Sequence, residues 1–338
     1  MPAAPRRPKP NILILFNENP DWPQVDINWS RDNLRDMTNG LLEQGFTFEP
    51  LCFFDDLSPL DRYDPAEWLV WNWGEELAGR PWTDSLVAAD LERRGFAFTG
   101  CSSEVLANTR SRADVKAVLR AAGLPTLPAR VLTDPTQAAA WDHFPAIVKG
   151  ANQHASYGIG AESVVANPAE LVRRIAYLRA NFDDDALVEP FLDTREFHVA
   201  VWGNGRPQAL PPLELGYAAF DDPHDRLYTY SAKFDTHSRG FNEITMTCPA
   251  PLDRPDWRAR LEEVSIAAYQ ALGLRDYGRL DLRMLGDEPQ ILDVNCNPDI
   301  DVTSVLPISA KALGLSFGQM VERILTFAAA RMPSAGSI

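Results

Sequence analysis

Gly278-Arg279-Leu280-Asp281-Leu282, followed by Ile291-Leu292-Asp293-Val294-Asn295-Cys296-Asn297-Pro298, is the stretch on which the reading of this chain turns. Arg279, Asp281 and Arg283 alternate with Leu280, Leu282 and Met284, the two-residue period of a strand with one polar and one apolar face. Gly286-Asp287-Glu288-Pro289 reads as a turn, and the chain returns through Ile291, Asp293 and Asn295. A turn of three or five residues centred on Glu288 places Asp281 opposite Asn295 with Asp293 on the same face; an even loop separates the two aspartates. Two carboxylates and a carboxamide then lie within a few ångströms of one another, beside Arg279. Like charges that close repel, so a divalent cation between them is the natural complement. Hard oxygen donors too few to enclose an ion suit Mg²⁺, with Mn²⁺ as the alternative, shared with substrate phosphates. The bland alternative is a pair of solvated acidic strands, which the apolar alternation argues against. The repulsion implies that Asp293→Asn leaves the fold intact and slightly stabilises the metal-free protein.

The chain has 338 residues, enough for two or three domains with real cores. Its 45% hydrophobic and 23% charged content is that of an ordinary soluble globular protein. With 32 basic against 47 acidic residues the net charge is −15, which repels nucleic acid and anionic membranes and excludes both as expected partners. An anionic ligand therefore needs its own local cluster of Lys and Arg. Cys52, Cys101, Cys248 and Cys296 form no C-x-x-C, so neither a zinc site nor a disulfide framework is expected, and a reducing compartment follows. Residues 1–10 read as a flexible leader. The apolar run 12–16 is too short for a signal-peptide core or a membrane span, making the cytoplasm the default.

Strands and helices alternate through the first hundred or so residues. Strands are expected at 11–16, 46–54 and 68–71. Ser30 is expected to cap a helix stopped by Gly45, and Thr83 one running through Arg94. This βαβ alternation implies a small doubly wound domain. A second unit opens near Ser111, where Ser111-Arg-Ala-Asp114 fits a capping box leading a helix to Ala122. A strand at 145–149, a small-residue loop at 150–160, a helix at 167–181 and a strand at 186–189 follow. The third unit has a strand at 197–202, an irregular stretch at 207–223, a helix at 257–272, the aspartate hairpin and a C-terminal helix within 316–330.

Lys149 ends a strand and enters Gly150-Ala-Asn-Gln-His-Ala-Ser156-Tyr-Gly-Ile-Gly160, a lysine followed by glycines and exposed N–H groups, as a phosphate cradle requires. It is neither a P-loop nor a dinucleotide fingerprint, and a surface turn is the equal alternative. Glu189 and Glu196 flank Pro190-Phe191-Leu192 where one strand ends and the next begins, a setting able to hold adenine and ribose hydroxyls; solvated strand-edge glutamates are the alternative. Lys233 lies in a long irregular segment able to close as a lid. Lys116 alone would read as a solvent-exposed helix residue.

The order of these elements resembles the ATP-grasp superfamily, and within it the D-alanine–D-alanine ligases and their relatives. Lys116-Ala-Val-Leu-Arg-Ala-Ala-Gly-Leu-Pro looks like the family's first nucleotide lysine and the turn after it, and Phe144-Pro-Ala-Ile-Val-Lys149-Gly like the strand of its second. Leu187-Val-Glu189-Pro-Phe191-Leu192 and Arg195-Glu196-Phe197 look like the adenine hinge and the ribose glutamate. Tyr230-Ser-Ala-Lys233-Phe234 looks like the ω-loop lysine, Phe98-Thr-Gly100-Cys-Ser-Ser like the Y-T-G segment, and the hairpin like the metal motif, with Asp293 replacing a more usual Glu. The resemblance implies an α/β ATP-grasp fold with three parts: an N-terminal doubly wound α/β domain (1–107), a small central α+β domain (108–189) and a C-terminal α+β domain (190–331). It implies a carboxylate–amine ligase using ATP and Mg²⁺ through an acyl phosphate on small-molecule substrates; a homodimer is compatible with it.

In that reading Lys116, Lys149, Glu189, Phe191, Leu192, Glu196 and Lys233 bind the nucleotide, Asp281, Asp293 and Asn295 hold the metal, and Arg279, Lys233 and Ser156 serve catalysis. Three departures concern the substrate half. The family's Glu–Val–Ser signature has no counterpart in Asn17-Glu-Asn-Pro-Asp-Trp-Pro-Gln. Its His-Gly…Glu-Asp-Gly segment becomes Trp71-Asn-Trp-Gly-Glu-Glu, and its Gly-Met-Thr becomes Asp299-Ile300-Asp301. A substrate other than D-alanine is expected, in a pocket lined by Asp299, Asp301 and Ser304 that prefers positive charge, or else Asp299 caps the segment 302–311. The rivals are a D-alanine–D-alanine ligase proper and a nucleotide-binding module without catalysis.

Overall fold

The computed structural model describes residues 9–333. The leader expected at 1–10 lies outside them except for Lys9 and Pro10, and Lys9 pairs with Glu322 at 2.6 Å. Strands β1 (Asn11–Asn17), β2 (Phe48–Phe53) and β3 (Trp68–Trp73) form a parallel sheet in the order β2-β1-β3. Ile12 to Leu15 are fully buried, as a strand covered on both faces requires. The crossover helix is Gln24–Glu43, entered from Pro23, so Ser30 falls inside it and caps nothing. The apolar stripe that pointed to Ser30 marks where burial begins, not where the helix does. Thr83 precedes helix Asp84–Arg93 without capping it, because its hydroxyl is bound to the Leu77 N–H and the Arg80 carbonyl.

Strands β4 (Arg130–Leu132), β5 (Ala146–Gly150), β6 (Val164–Val165) and β7 (Ala186–Pro190) make an antiparallel sheet in the order β4-β7-β5-β6. Helix Arg112–Ala121 leads into it, the Ser111 hydroxyl accepting from the Asp114 N–H at 3.2 Å. Helix Pro168–Phe182 covers the sheet, and Leu171, Ile175 and Leu178 close a separate core with Ala146, Val148 and Val188.

The last sheet holds β8 (Glu196–Trp202), β9 (Gln208–Ala209), β10 (Leu213–Gly216), β11 (Thr245–Thr247), β12 (Tyr277–Leu285) and β13 (Glu288–Asn295). Its order is β11-β10-β8-β12-β13, with β9 beside β8. The stretch 207–223 is thus not wholly irregular; β9 and β10 are too short, and too near Pro211-Pro212, for a two-residue period to register.

Leu285 pairs with Glu288, so the hairpin turn is Gly286-Asp287 and not an odd loop centred on Glu288. Gly286 supplies the positive φ of +64° that so tight a turn needs. Continued regularly, that register would oppose Asp281 to Leu292. Instead Leu282 pairs with Ile291 and Asp281 with Asp293, leaving Leu292 as an extra, bulged residue. The bulge returns both aspartates to one face and sets Asn295 opposite Arg279.

The first and last sheets share their cores. Ile12, Ile14, Leu41 and Trp71 pack with Ala200, Trp202, Ile324 and Leu325; Leu13, Leu15 and Val70 pack with Phe197, Val199, Leu280 and Val294. No helix among the described residues is long and apolar enough to cross a membrane.

Candidate active site

Strands β5, β7, β8, β12 and β13 bring Lys149, Glu189, Glu196, Arg279, Asp281, Asp293 and Asn295 onto one cavity, closed by Ser156 and Lys233. Phe191 and Leu192 border it as well. At its floor Glu189, 1% exposed, lies 2.7 Å from Lys149 Nζ and 2.6 Å from Lys116 Nζ. Burial alone would raise the Glu189 carboxyl; Lys116 and Lys149 outweigh it and hold the group below its ordinary range. Lys116 is buried behind Glu189 and is not part of the cavity surface; its ammonium also donates to Thr126 Oγ1 at 2.9 Å. Lys149 donates to the carbonyl of the bulged Leu292 at 3.3 Å.

Glu196 is engaged from three sides. Arg283 Nε and Nη2 donate to Oε2 at 2.9 and 2.7 Å, Tyr217 donates to the same oxygen at 3.0 Å, and His198 Nε2 is 3.1 Å from Oε1. Against burial, Arg283 and His198 hold its carboxyl well below the usual range. Arg283 was visible in the sequence as the next polar position of β12, without an assigned role.

Arg279 grips Asp281 with both arms, Nε to Oδ1 at 2.7 Å and Nη2 to Oδ2 at 3.0 Å. Asp293 has a partner that nothing in the sequence announced. Arg112, the first residue of its helix and 4% exposed, donates to Asp293 Oδ2 through Nε at 3.2 Å and Nη2 at 3.0 Å. Its Nη1 donates to the Gly150 carbonyl at 2.8 Å. Burial would raise Asp293, but Arg112 and then Lys149 hold it well below the usual carboxylate range. The expected gain in stability from Asp293→Asn is therefore reversed, since each aspartate already has its own cation.

Lys233 lies on a short helix, Tyr230–Phe234, where only an irregular lid was expected. Its ammonium donates to Ser156 Oγ at 2.8 Å, and Ser156 donates to the Tyr228 carbonyl at 2.9 Å, tying lid to loop. Burial, and then Arg279, push the ammonium down to about 8. Among the described residues no three His, Cys, Asp or Glu side chains converge as a self-sufficient metal site. Two carboxylates and a carboxamide facing a lysine-rich cavity instead fit an ion that completes its shell with phosphate oxygens.

Asp299, Asp301 and Ser304 line a second cavity of about 910 Å³, which shares Lys233, Arg279 and Asn295 with the first. Asp299 does not cap the next helix, Val305–Ala312, which follows Ser304. Its Oδ1 accepts from the Asp301 N–H at 3.2 Å. Ser304 Oγ lies 2.8 Å from the Asp299 carbonyl and 2.9 Å from that of Asp301. Asp299 is exposed to the cavity, where desolvation and then Asp301 push its carboxyl from 3.8 up to about 8. An acid whose folded pKa exceeds its unfolded one contributes stability below the unfolded value and loses it as pH rises through the folded value. Asp299→Asn removes that loss. The melting temperature of the variant therefore rises relative to wild type from pH ~4 to ~8 and levels off above, with a pH-independent difference counting against the environment described.

A family model described as D-ala D-ala ligase C-terminus matches residues 118–326. The D-alanine–D-alanine ligase of Desulfovibrio desulfuricans is 31% identical over 262 residues, 74% of this chain and 76% of that one. The Haemophilus influenzae ligase is 29% identical over 301 residues, 84% of this chain and 91% of that one. An uncharacterised protein of Sinorhizobium fredii is 28% identical over 316 residues, 91% of this chain and 90% of that one. The crystal structure of the Bacillus anthracis D-alanine–D-alanine ligase complexed with ATP has the same fold, with a TM-score of 0.72 at 19% identity, covering 96% of this chain and 99% of that one.

Proposed function

The chain belongs to the D-alanine–D-alanine ligase family, and from that premise we propose that it couples an acid and an amine other than two molecules of D-alanine. It is an ATP-dependent carbon–nitrogen ligase of the ATP-grasp fold, and ATP and Mg²⁺ are its cofactors. The observation that carries the finer reading is the contrast between two adjoining cavities. The nucleotide side keeps its lysines, arginine and aspartates, while the wall beyond it carries Asp299 and Asp301.

In the proposed reaction a substrate carboxylate attacks the γ-phosphorus, ADP departs, and an amine displaces phosphate from the resulting acyl phosphate. Lys149 and Lys233 balance the triphosphate charge, with Lys116 acting through Glu189. Glu189, Phe191, Leu192 and Glu196 border the adenosine end. Arg279 stabilises charge on the phosphoryl group in flight and then on the tetrahedral intermediate, and Ser156 holds the loop closed over both. Asp281, Asp293 and Asn295 would hold Mg²⁺, which neutralises charge between the phosphates when bound. Positioning supplies most of the acceleration and no protein nucleophile is needed. We keep 1–107, 108–189 and 190–331 as the domain boundaries and assign the enzyme to the cytoplasm.

The names of the curated relatives favour the rival, a D-alanine–D-alanine ligase. A phosphate-release screen over D- and L-amino acids separates the two. Turnover with acid–amine pairs lacking D-alanine is expected, and robust turnover with D-alanine alone would sink the proposal.

A further inference from the structure

We propose that the amine substrate is a basic amino acid, its side-chain cation held in the outer cavity between unpaired carboxylates and an aromatic wall. This rests on the carboxylate–amine ligase reading and names the substrate class of the same site.

The outer cavity adjoins the place where an acyl phosphate would form, because Lys233, Arg279 and Asn295 border both spaces. Its about 910 Å³ lies at the upper end of small-molecule sites, far more than a pair of alanines would fill. Electrostatic character inverts across the shared residues. The nucleotide cavity presents Arg112, Lys149, Lys233, Arg279 and Arg283. The outer one presents Asp26, Glu75, Glu76, Asp84, Asp299 and Asp301 against Arg110 and the shared Lys233 and Arg279.

None of those six is ion-paired among the described residues, whereas the acids of the inner site all are: Glu189, Glu196, Asp281 and Asp293 each face a lysine or arginine. The hydrogen bonds the six accept come from neutral groups. Glu76 accepts from Asn19, Asp84 from the Ser85 N–H, and Asp301 from the Thr303 N–H. Glu75 and Asp299 are solvent-accessible on the cavity wall, and desolvation there with neighbouring acids pushes Glu75 up to about 7 and Asp299 up to about 8. A carboxylate cluster that outnumbers the cations on its cavity wall is complemented by a cationic ligand.

Aromatic rings supply the rest of the wall. Trp29 lies 4.9 Å from Phe234, Phe234 4.7 Å from Tyr230, Tyr230 4.8 Å from Tyr157, and Tyr157 5.8 Å from Trp82, ring centre to ring centre. This chain of rings joins the N-terminal part, the glycine loop and the lid around one space. Ring faces next to carboxylates are a setting for ammonium or guanidinium groups.

A separate observation points to an oxygen on the same ligand. Asn17 borders the cavity and is 3% exposed; its Oδ1 accepts from the Glu75 N–H at 2.9 Å. Its Nδ2 has no partner among the described residues. A buried amide donor without an acceptor is costly, and in an otherwise acidic and aromatic space a carboxylate or carbonyl of the ligand would satisfy it. Cation, apolar stem and oxygen acceptor together describe lysine or arginine better than a simple diamine.

The test measures binding of L- and D-lysine and L- and D-arginine by calorimetry, to full-length protein holding Mg²⁺ and a non-hydrolysable ATP analogue. Norleucine and citrulline of matching chirality serve as neutral counterparts. At least one basic amino acid is expected to bind about tenfold or more tighter than its neutral counterpart, with the preference falling to about twofold or less in Glu75→Gln and Asp299→Asn. Glu75 makes no side-chain hydrogen bond in the described residues, so its variant removes charge and little else. Equal binding of charged and neutral members, no binding by any of them, or a preference unchanged in both variants would overturn the inference. Binding of the ATP analogue is measured in the same titrations. Its failure removes the ligase reading as well, while intact nucleotide binding without charge preference removes this inference alone.

Discussion

Asp293→Asn is expected to lower ADP formation by about a thousandfold and to destabilise the metal-free protein by about 1–3 kcal/mol. The two effects have separate causes. For catalysis, the substitution leaves Asp281 as the one carboxylate where two would bind Mg²⁺ between phosphates. For stability, the carboxylate that disappears is the partner of Arg112, whose side chain is 5% exposed and whose guanidinium keeps the Gly150 carbonyl but loses its counter-ion. Asparagine can still accept one bond from Arg112, which keeps the loss below that of a fully broken buried pair. Steady-state kinetics over a Mg²⁺ series and thermal melting in chelator check the two parts. Wild-type activity at low Mg²⁺ would remove the metal assignment, and a rise in melting temperature would restore the repulsion argument that the geometry of Arg112 displaced.

Glu189→Gln should be the most damaging single change to the empty protein, costing about 3–5 kcal/mol. Glu189 is the shared counter-ion of two lysines, Lys116 at 3% side-chain exposure and Lys149 at 7%. Removing it strands two ammonium groups, and burial already pushes Lys116 down from its ordinary value. Mg²⁺-ATP should restore part of the loss, because phosphate can replace Glu189 beside Lys149 but not beside Lys116, which stands behind it. The decisive comparison is a double-mutant cycle with Lys116→Met, read by denaturant unfolding with and without nucleotide. A double variant less stable than the single one, or strictly additive losses, would show that the three charges do not form one unit.

Which parts of this molecule were legible in its sequence follows from length and from sign. The β12–β13 hairpin, helix Pro168–Phe182 and strand β1 are long enough for periodicity to speak, and all were readable. Strands β9 and β10 were not, being two and four residues long. The aspartate face was assigned correctly for a reason that was partly wrong: an odd turn was expected, and an even turn with a bulge at Leu292 achieves the same parity. Sequence pattern counts side chains and cannot count an extra residue hidden in a ladder. The missing cation was Arg112, which occupies a helix start and reaches Asp293 across 181 positions of sequence; no local pattern encodes such a pairing. Arg283 was different, because its alternation with Arg279 and Asp281 already placed it on the site face.

The core shared by the first and last sheets also constrains the order in which the chain can be completed. Ile12, Ile14 and Trp71 are covered by Ile324, Leu325 and Ala328, and Gly40 meets Gly318 so closely that a Cβ there would come within 3.2 Å of its Cα. While the chain emerges from the ribosome, the parallel sheet is made first and covered last, after more than two hundred further residues. Contacts of such long separation are slow to close, and an apolar face left waiting is open to the wrong partner. The middle sheet has no such wait, since everything in its own core lies between Leu132 and Val188. Synthesis therefore delivers a finished middle before the two sheets that flank it are joined, and the N-terminal third depends for its burial on helix Phe317–Ala329.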